Sequence, residues 1–452
     1  MVRDLITIRP STGLTLLGAS IFVGLLIPLG PPIVALAVFG VACLVCGLLL
    51  LPPHLRTTVP LCLLLLVPAD YVPAISGDYR GFFVLGAVAL LCATAPHLRR
   101  PGLFLRRNWD LLLYPAVVLL ATAVHWEAGQ LRVLLYWAAA VLLLVWLHGA
   151  RDKLGGGAAI LDALVLAGLA SGTVAVLEFL RLIDILAFPT LYEPVPSMFT
   201  ESLGARSVGL SGRPLRLGTL TMLSGLISTS YLLFGGRTRL AVPVHGVSAV
   251  VSLAALLASG ARGAWAGFVL AFAAGSLHGR VSRRMVRVSG FVLVAVLLGA
   301  VTGLNTIVSE RLFGTAFSPR SIQQRIDALE VATTAWQHSP VIGNGPGGVS
   351  ALVYREGLVT PNLENEYLAA LLSSGLVGLL ALLGLVLRRL LASWRQDNPA
   401  PWDPTFMLVL ALVLNIGTYN MFSWSAGACL FFTVCALATL DRPERSTDGS
   451  VK

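Results

Sequence analysis

Residues 158–180 read AAILDALVLAGLASGTVAVLEFL, with only two charged side chains: Asp162 close to the start and Glu178 close to the end. A helix rises about 1.5 Å per residue, so a run of this length crosses a hydrocarbon core about 30 Å thick. Comparable apolar runs fall near 12–29, 32–51, 57–68, 81–95, 109–124, 131–147, 217–234, 240–258, 264–278, 288–307, 364–387, 404–420 and 424–440. The third is short and leads to Pro68, Pro73 and Gly77, which suits a broken or re-entrant segment, and the tenth is also short. The chain is 56% hydrophobic and 12% charged, with a mean hydropathy of +0.83, which excludes an ordinary soluble domain. The expected fold is an all-α, polytopic transmembrane helix bundle of about 12–14 spans with a large external loop containing a short amphipathic helix.

A formal charge of +10 would suggest nucleic acid in a soluble protein, but here the basic residues cluster between the apolar runs. With the N-terminus inside, Arg99, Arg100, Arg106 and Arg107 share one cytoplasmic loop, and Arg151 and Lys153 another. Arg237 with Arg239, then Arg280, Arg283, Arg284 and Arg287, then Arg388, Arg389 and Arg395 continue the alternation. Both termini are therefore expected in the cytoplasm. Arg3 and Arg9 precede the first apolar run, but Pro28, Pro31 and Pro32 stand where a signal cleavage site would be, so the segment reads as a retained first helix. The six cysteines all fall inside apolar runs, and neither a disulfide framework nor a metal site is indicated, the Cys43/Cys46 pair included.

The same parity places Arg181 to Leu215 and Ser309 to Leu363 outside. Long loops on a rigid scaffold are where function concentrates. The second carries an amphipathic helix over Ser321 to Trp336, with Ile322, Ile326, Leu329 and Trp336 on one face, broken only by Thr333, and Arg325 and Glu330 on its flanks. Such a helix can lie on the membrane surface or roof a cavity. The chain thus divides into N-terminal transmembrane helices (1–200), a core (201–390) with its external loop at 308–363, and C-terminal helices with a cytoplasmic tail (391–452).

Against the inside rule, Arg80, Arg132, Arg181, Arg206, Arg213, Arg216, Arg262, Arg311, Arg320, Arg325 and Arg355 fall outside. Converging guanidinium forks suit a lipid diphosphate, whereas 30 of the 32 basic residues are Arg, which favours compositional bias. Arg262 stands out, because Ser259-Gly260-Ala261-Arg262-Gly263 joins two apolar spans with almost no loop. Its charge must sit at the interface, paired, facing a wet cavity or snorkelling to headgroups. Four glycines and two prolines punctuate residues 339–348, so that stretch is a turn, able to approach a ligand but without the spacing of a phosphate loop. Glu364 and Glu366 sit where the next span starts. They read either as helix caps or as a general base at the mouth of a cavity.

In order, these features resemble the O-antigen ligase and polymerase family of bacterial membrane glycosyltransferases. The resemblance covers roughly residues 200–390 and rests on Ser259 to Trp265, on His338-Ser339-Pro340-Val341-Ile342-Gly343-Asn344-Gly345, on Glu364-Asn365-Glu366-Tyr367-Leu368 and on Gly375-Leu376-Val377-Gly378. It implies that Arg262, with Arg206 or Arg213 and with Arg325 as a further candidate, grips the diphosphate of a polyprenyl-linked glycan donor. Asn365 and Tyr367 join the substrate-binding set. Glu364 stands where the family has a histidine base, a departure that fits polymerase-like members. The implied reaction is metal-independent glycosyl transfer outside the cytoplasmic membrane to a glycan or lipid-linked acceptor, with membrane lipids as surroundings, no cofactor, no nucleotide sugar and no nucleic acid. A transporter or flippase is the alternative, but it would place ionisable residues at mid-membrane, where these spans have almost none.

Overall fold

The computed structural model describes residues 55–66, 88, 101–125, 130–149, 157–183, 207–236, 238–278, 319–346, 364–395, 403–424 and 426–440. Its helices are α1 (Leu55–Leu66), α2 (Pro101–Val124), α3 (Gln130–Gly149), α4 (Ala158–Phe179), α5 (Pro214–Phe234), α6 (Val242–Ser259), α7 (Arg262–His278), α8 (Pro319–His338), α9 (Glu366–Trp394), α10 (Thr405–Ile416) and α11 (Gly427–Leu440). Two 3-10 turns, Gly209–Ser211 and Met421–Ser423, complete the described elements, none of which is a strand. Four of the helices, α4, α5, α6 and α9, are long and apolar enough to cross a membrane. Asn108–Val124, Leu134–Leu147, Thr405–Ile416 and Gly427–Thr439 are shorter apolar helices beside them. The runs expected at 12–29, 32–51 and 288–307 lie outside the described residues, as does 81–95 apart from Val88.

Helices α4, α5 and α6 form one closely packed group, and α1 lies against α4. Small side chains set the spacing. A Cβ at Gly168 would meet Ser224 at 2.2 Å, and one at Gly172 would meet Val251 at 3.1 Å. Serines stitch the same seam: Ser224 Oγ donates to the Val165 carbonyl at 3.2 Å, Ser252 Oγ to Ser224 at 3.1 Å and Ser228 Oγ to Ser248 at 3.0 Å. On the other side α9 packs on α2, and α11 on α3. The interior there is aromatic, with Trp137 meeting Tyr114, Phe422 and Phe432 edge-on at centroid distances of 5.2, 5.0 and 5.7 Å. Helix α10 touches α5, α7, α9 and α11, so the segment assigned to the C-terminal part of the chain sits in the middle of the bundle.

One end of α2 and α9 is locked by a buried charge cluster. Arg389 donates to both oxygens of Asp110, from Nε at 2.8 Å and from Nη2 at 2.7 Å. It also donates to Asn108 and to Thr439 of α11. All four side chains are buried, so the guanidinium is compensated by a bidentate carboxylate and neutral acceptors rather than by water. Asn108 leaves helical geometry (φ −129°, ψ 27°), which bends α2 where its apolar stretch begins.

Helix α9 is broken at Gly375 (φ 65°, ψ −167°), a left-handed backbone that an L side chain would strain. The glycine-rich turn fills the break. Leu372 and Ser373 carbonyls accept from the Asn344 and Gly345 amides, while the Leu376 and Val377 amides donate to the Pro340 and Val341 carbonyls. The backbone groups freed by the break are thus paired inside the protein, the condition for non-helical backbone in a membrane span. Gly343 is required on the other side of this contact, since a Cβ there would lie 2.4 Å from the Gly375 nitrogen.

Candidate functional site

The start of α9 turns three consecutive polar residues in different directions. Asn365 is extended (φ −153°, ψ 114°), and its side chain accepts from the Leu368 amide at 3.1 Å, capping the helix. Glu364, just outside the cap, is exposed. Glu366, the first helical residue, points inward, and its carboxylate accepts from the Phe422 amide at 2.8 Å with the Met421 amide as a second donor. Tyr367 donates its hydroxyl to the Val413 carbonyl of α10 at 3.0 Å.

Arg262 is placed by the elbow between α6 and α7. Gly260 ends α6 in left-handed geometry, Ser259 Oγ donates to the Leu256 carbonyl at 2.7 Å and accepts from the Ala261 amide at 3.2 Å, and Trp265 Nε1 donates to the same Leu256 carbonyl at 2.8 Å. The elbow is therefore rigid, and Arg262 opens α7 half-buried. The next residue, Gly263, is pressed on Thr418, and a Cβ there would overlap the Thr418 side chain. Gly417, beside Thr418, lies against the Tyr367 ring, 3.6 Å from where its own Cβ would be. Consecutive residues at the end of α10 thus touch the start of α7 on one side and the start of α9 on the other.

Helix α5 enters the same region. Glu178, at the end of α4, accepts from the Val208 and Gly209 amides at 2.9 and 3.1 Å, and the Ser207 amide donates to the Ala258 carbonyl beside the elbow. That turn delivers Arg213, exposed, as the cap of α5. Gly218, five residues or about 7.5 Å further along the helix, packs against Ala261 and Ala264. Arg216 between them is 4% exposed, with its guanidinium 5.9 Å from the Trp424 ring. Asn415 of α10 donates to Thr219 at 2.8 Å, fixing α5 to the same hub.

Of the residues expected from sequence, Arg213 and Arg262 lie beside one another's helices, and Asn365 and Tyr367 lie across α10 from Arg262. Arg206 and the side chain of Arg325 lie outside the described residues. Glu364 shares the α9 cap but is turned to the surface. Sequence reading passed over Asn415, Thr418 and Trp424. Asn415 was signalled only as an amide in the middle of an apolar span, and Trp424 is fully buried with an indole N–H that has no acceptor among the described residues. The described part of the glycine-rich turn packs into the break of α9. No group of three or more His, Cys, Asp or Glu side chains is arranged around a common point among the described residues.

Residues 247–383 match the family model described as O-antigen ligase. This segment is similar to the O-antigen ligase family. It runs from within α6 to within α9, less than a third of the chain, and includes the elbow at Arg262, α8, the glycine-rich turn and the Glu364–Tyr367 cap. No curated protein matches the chain. With its apolar helices, the ligase-family segment supports a membrane enzyme of the O-antigen ligase and polymerase kind acting on lipid-linked glycans.

Proposed function

We propose that this protein is a metal-independent membrane glycosyltransferase that joins polyprenyl-diphosphate-linked oligosaccharides on the external face of the cytoplasmic membrane, as a polymerase rather than a ligase. The observation that carries the reading is the hub at the end of α10, where Thr418 meets the helix opened by Arg262 and Gly417 meets Tyr367 from the cap that bears Glu364. A cation and a carboxylate at helix starts on either side of the end of α10 are the two groups the reaction needs. An acceptor hydroxyl oxygen attacks the anomeric carbon, the bond from that carbon to the diphosphate oxygen breaks, and its electron pair leaves with the lipid diphosphate. Glu364, an exposed carboxylate, takes the hydroxyl proton. Arg262, joined by Arg206, Arg213 and Arg325, offsets the charge growing on the diphosphate, which is where preorganised charge contributes most.

A discontinuous helix such as α9 also occurs in transporters, where the exposed backbone at the break binds substrate. Here the carbonyls of Leu372 and Ser373 and the amides of Leu376 and Val377 are already taken by the 340–345 turn, which favours the enzyme. The test is purified protein in lipid with a lipid-linked repeat unit. Arg262→Ala and Glu364→Gln should each abolish product while leaving membrane insertion intact, and full activity in both variants overturns the assignment. A ladder of products marks a polymerase, a single addition a ligase.

A further inference from the structure

Helix α8 buries a face that its hydrophobic pattern does not predict. Ala332 and Ala335 are buried against Leu368 and Leu372 of α9. The large apolar side chains stay outside: Ile326 is 53%, Leu329 60% and Trp336 38% exposed. At 3.6 residues per turn, these three with Thr333 cover one sector of the helix about 80° wide. The alanines occupy the neighbouring sector, and Asp327, Glu330 and Thr334 the sector beyond on the other side. A helix with protein, apolar and charged sectors in that rotational order fits a position beside a bundle, with hydrocarbon below and water above.

Depth can be read from α9. Leu368 and Leu372 lie two and six residues past Glu366, so α8 meets α9 about 3–9 Å below the helix start, the range at which interfacial helices bury their apolar face. The C-terminal end is fixed there, because Asn344 Nδ2 donates to the Ala335 carbonyl at 2.7 Å and to the Leu372 carbonyl at 3.4 Å. Beyond it Val341 is 57% exposed, and its carbonyl accepts from Val377. Val377 with Leu376 and Leu380 begins the exposed apolar surface of α9, a membrane-crossing helix. Trp336 Nε1 donates to the Pro340 carbonyl at 3.3 Å, so the apolar sector of α8 ends beside Val341 and leads towards that exposed apolar surface.

The geometry points to α8 as an interfacial helix whose Leu329–Trp336 face is embedded in the acyl–headgroup boundary of the leaflet at the start of α9, so that the partner of this face is lipid. This assignment is independent of the reaction proposed above and stands or falls without any activity measurement. The first test is a spin label at Leu329 and, separately, at Glu330 of a cysteine-free full chain in phosphatidylglycerol/phosphatidylcholine nanodiscs. The label at Leu329 should collide with oxygen several-fold more, and with a water-soluble nickel chelate several-fold less, than the label at Glu330. Nickel accessibility equal to that at Glu330 overturns the proposal in favour of water, and shielding from both reagents overturns it in favour of a protein partner. Should removal of the cysteines unfold the chain, benzoylphenylalanine at Leu329 of the otherwise unchanged protein gives the same answer. Irradiation should yield a lipid adduct, whereas an adduct to a second copy, or none, refutes it.

Discussion

Glu366 offers the sharpest test of how the candidate site is held. Its buried carboxylate takes the amides of Phe422 and Met421, so Glu366→Ala leaves two N–H groups, the one on Phe422 part-buried, without this acceptor. At about 1–3 kcal/mol for each unsatisfied group, the variant should lose about 2–6 kcal/mol. Glu366→Gln keeps one amide oxygen, which can still accept, but brings a new buried NH2, so its loss should be about 1–3 kcal/mol. Thermal loss of the monodisperse species in detergent should therefore rank wild type, then Gln, then Ala. The variants also separate two carboxylates of one cap: Glu366→Gln should retain turnover of the lipid-linked substrate in lipid at moderate temperature, where Glu364→Gln abolishes it. An Ala variant as heat-resistant as wild type would show that Glu366 does not hold the 421–424 turn, and a dead but stable Gln variant would move the base from Glu364 to Glu366.

The Arg389 cluster predicts a strong sign dependence: Asp110→Asn should destabilise by about 3–5 kcal/mol by leaving a buried cation uncompensated, whereas Asp110→Leu with Arg389→Met should recover most of that loss in the same melt. Gly375→Ala should destabilise strongly, since it forces a side chain into left-handed geometry and places a Cβ 2.1 Å from the Val341 carbonyl, while Gly384→Ala, on the same helix with open space around it, serves as a neutral control. Gly263→Ala should separate α7 from α10 and lower both stability and turnover, and Thr418→Ala should partly restore them by removing two of the three atoms that the new methyl meets, leaving only Cβ. Failure of that suppression would place the defect elsewhere than the α7–α10 contact.

Much of the architecture was legible because a bilayer imposes a one-dimensional rule: backbone polar groups must be paired within the segment, so a span is an apolar run of set length. The run at 158–180 became α4 almost residue for residue, and 217–234, 240–258 and 364–387 became α5, α6 and α9. The elbow before Arg262 was legible for the same reason, since two spans with no loop between them leave a charge nowhere else to go.

The apolar runs alone were enough to place the apolar helices that the described residues show, the charges near their ends and the residue types the site can draw on. Which side each residue shows depends on contacts between segments far apart in the chain. Glu364 and Glu366 are two residues apart in one helix cap, and local geometry alone does not choose between them; Phe422 and Met421, arriving from more than fifty residues later, turn Glu366 inward. Ile326, Leu329 and Trp336 of the apolar stripe of α8 share one sector, yet the alanines became its packing face. In a membrane, large apolar side chains lose nothing by facing outward, and small ones allow two helices the closest approach.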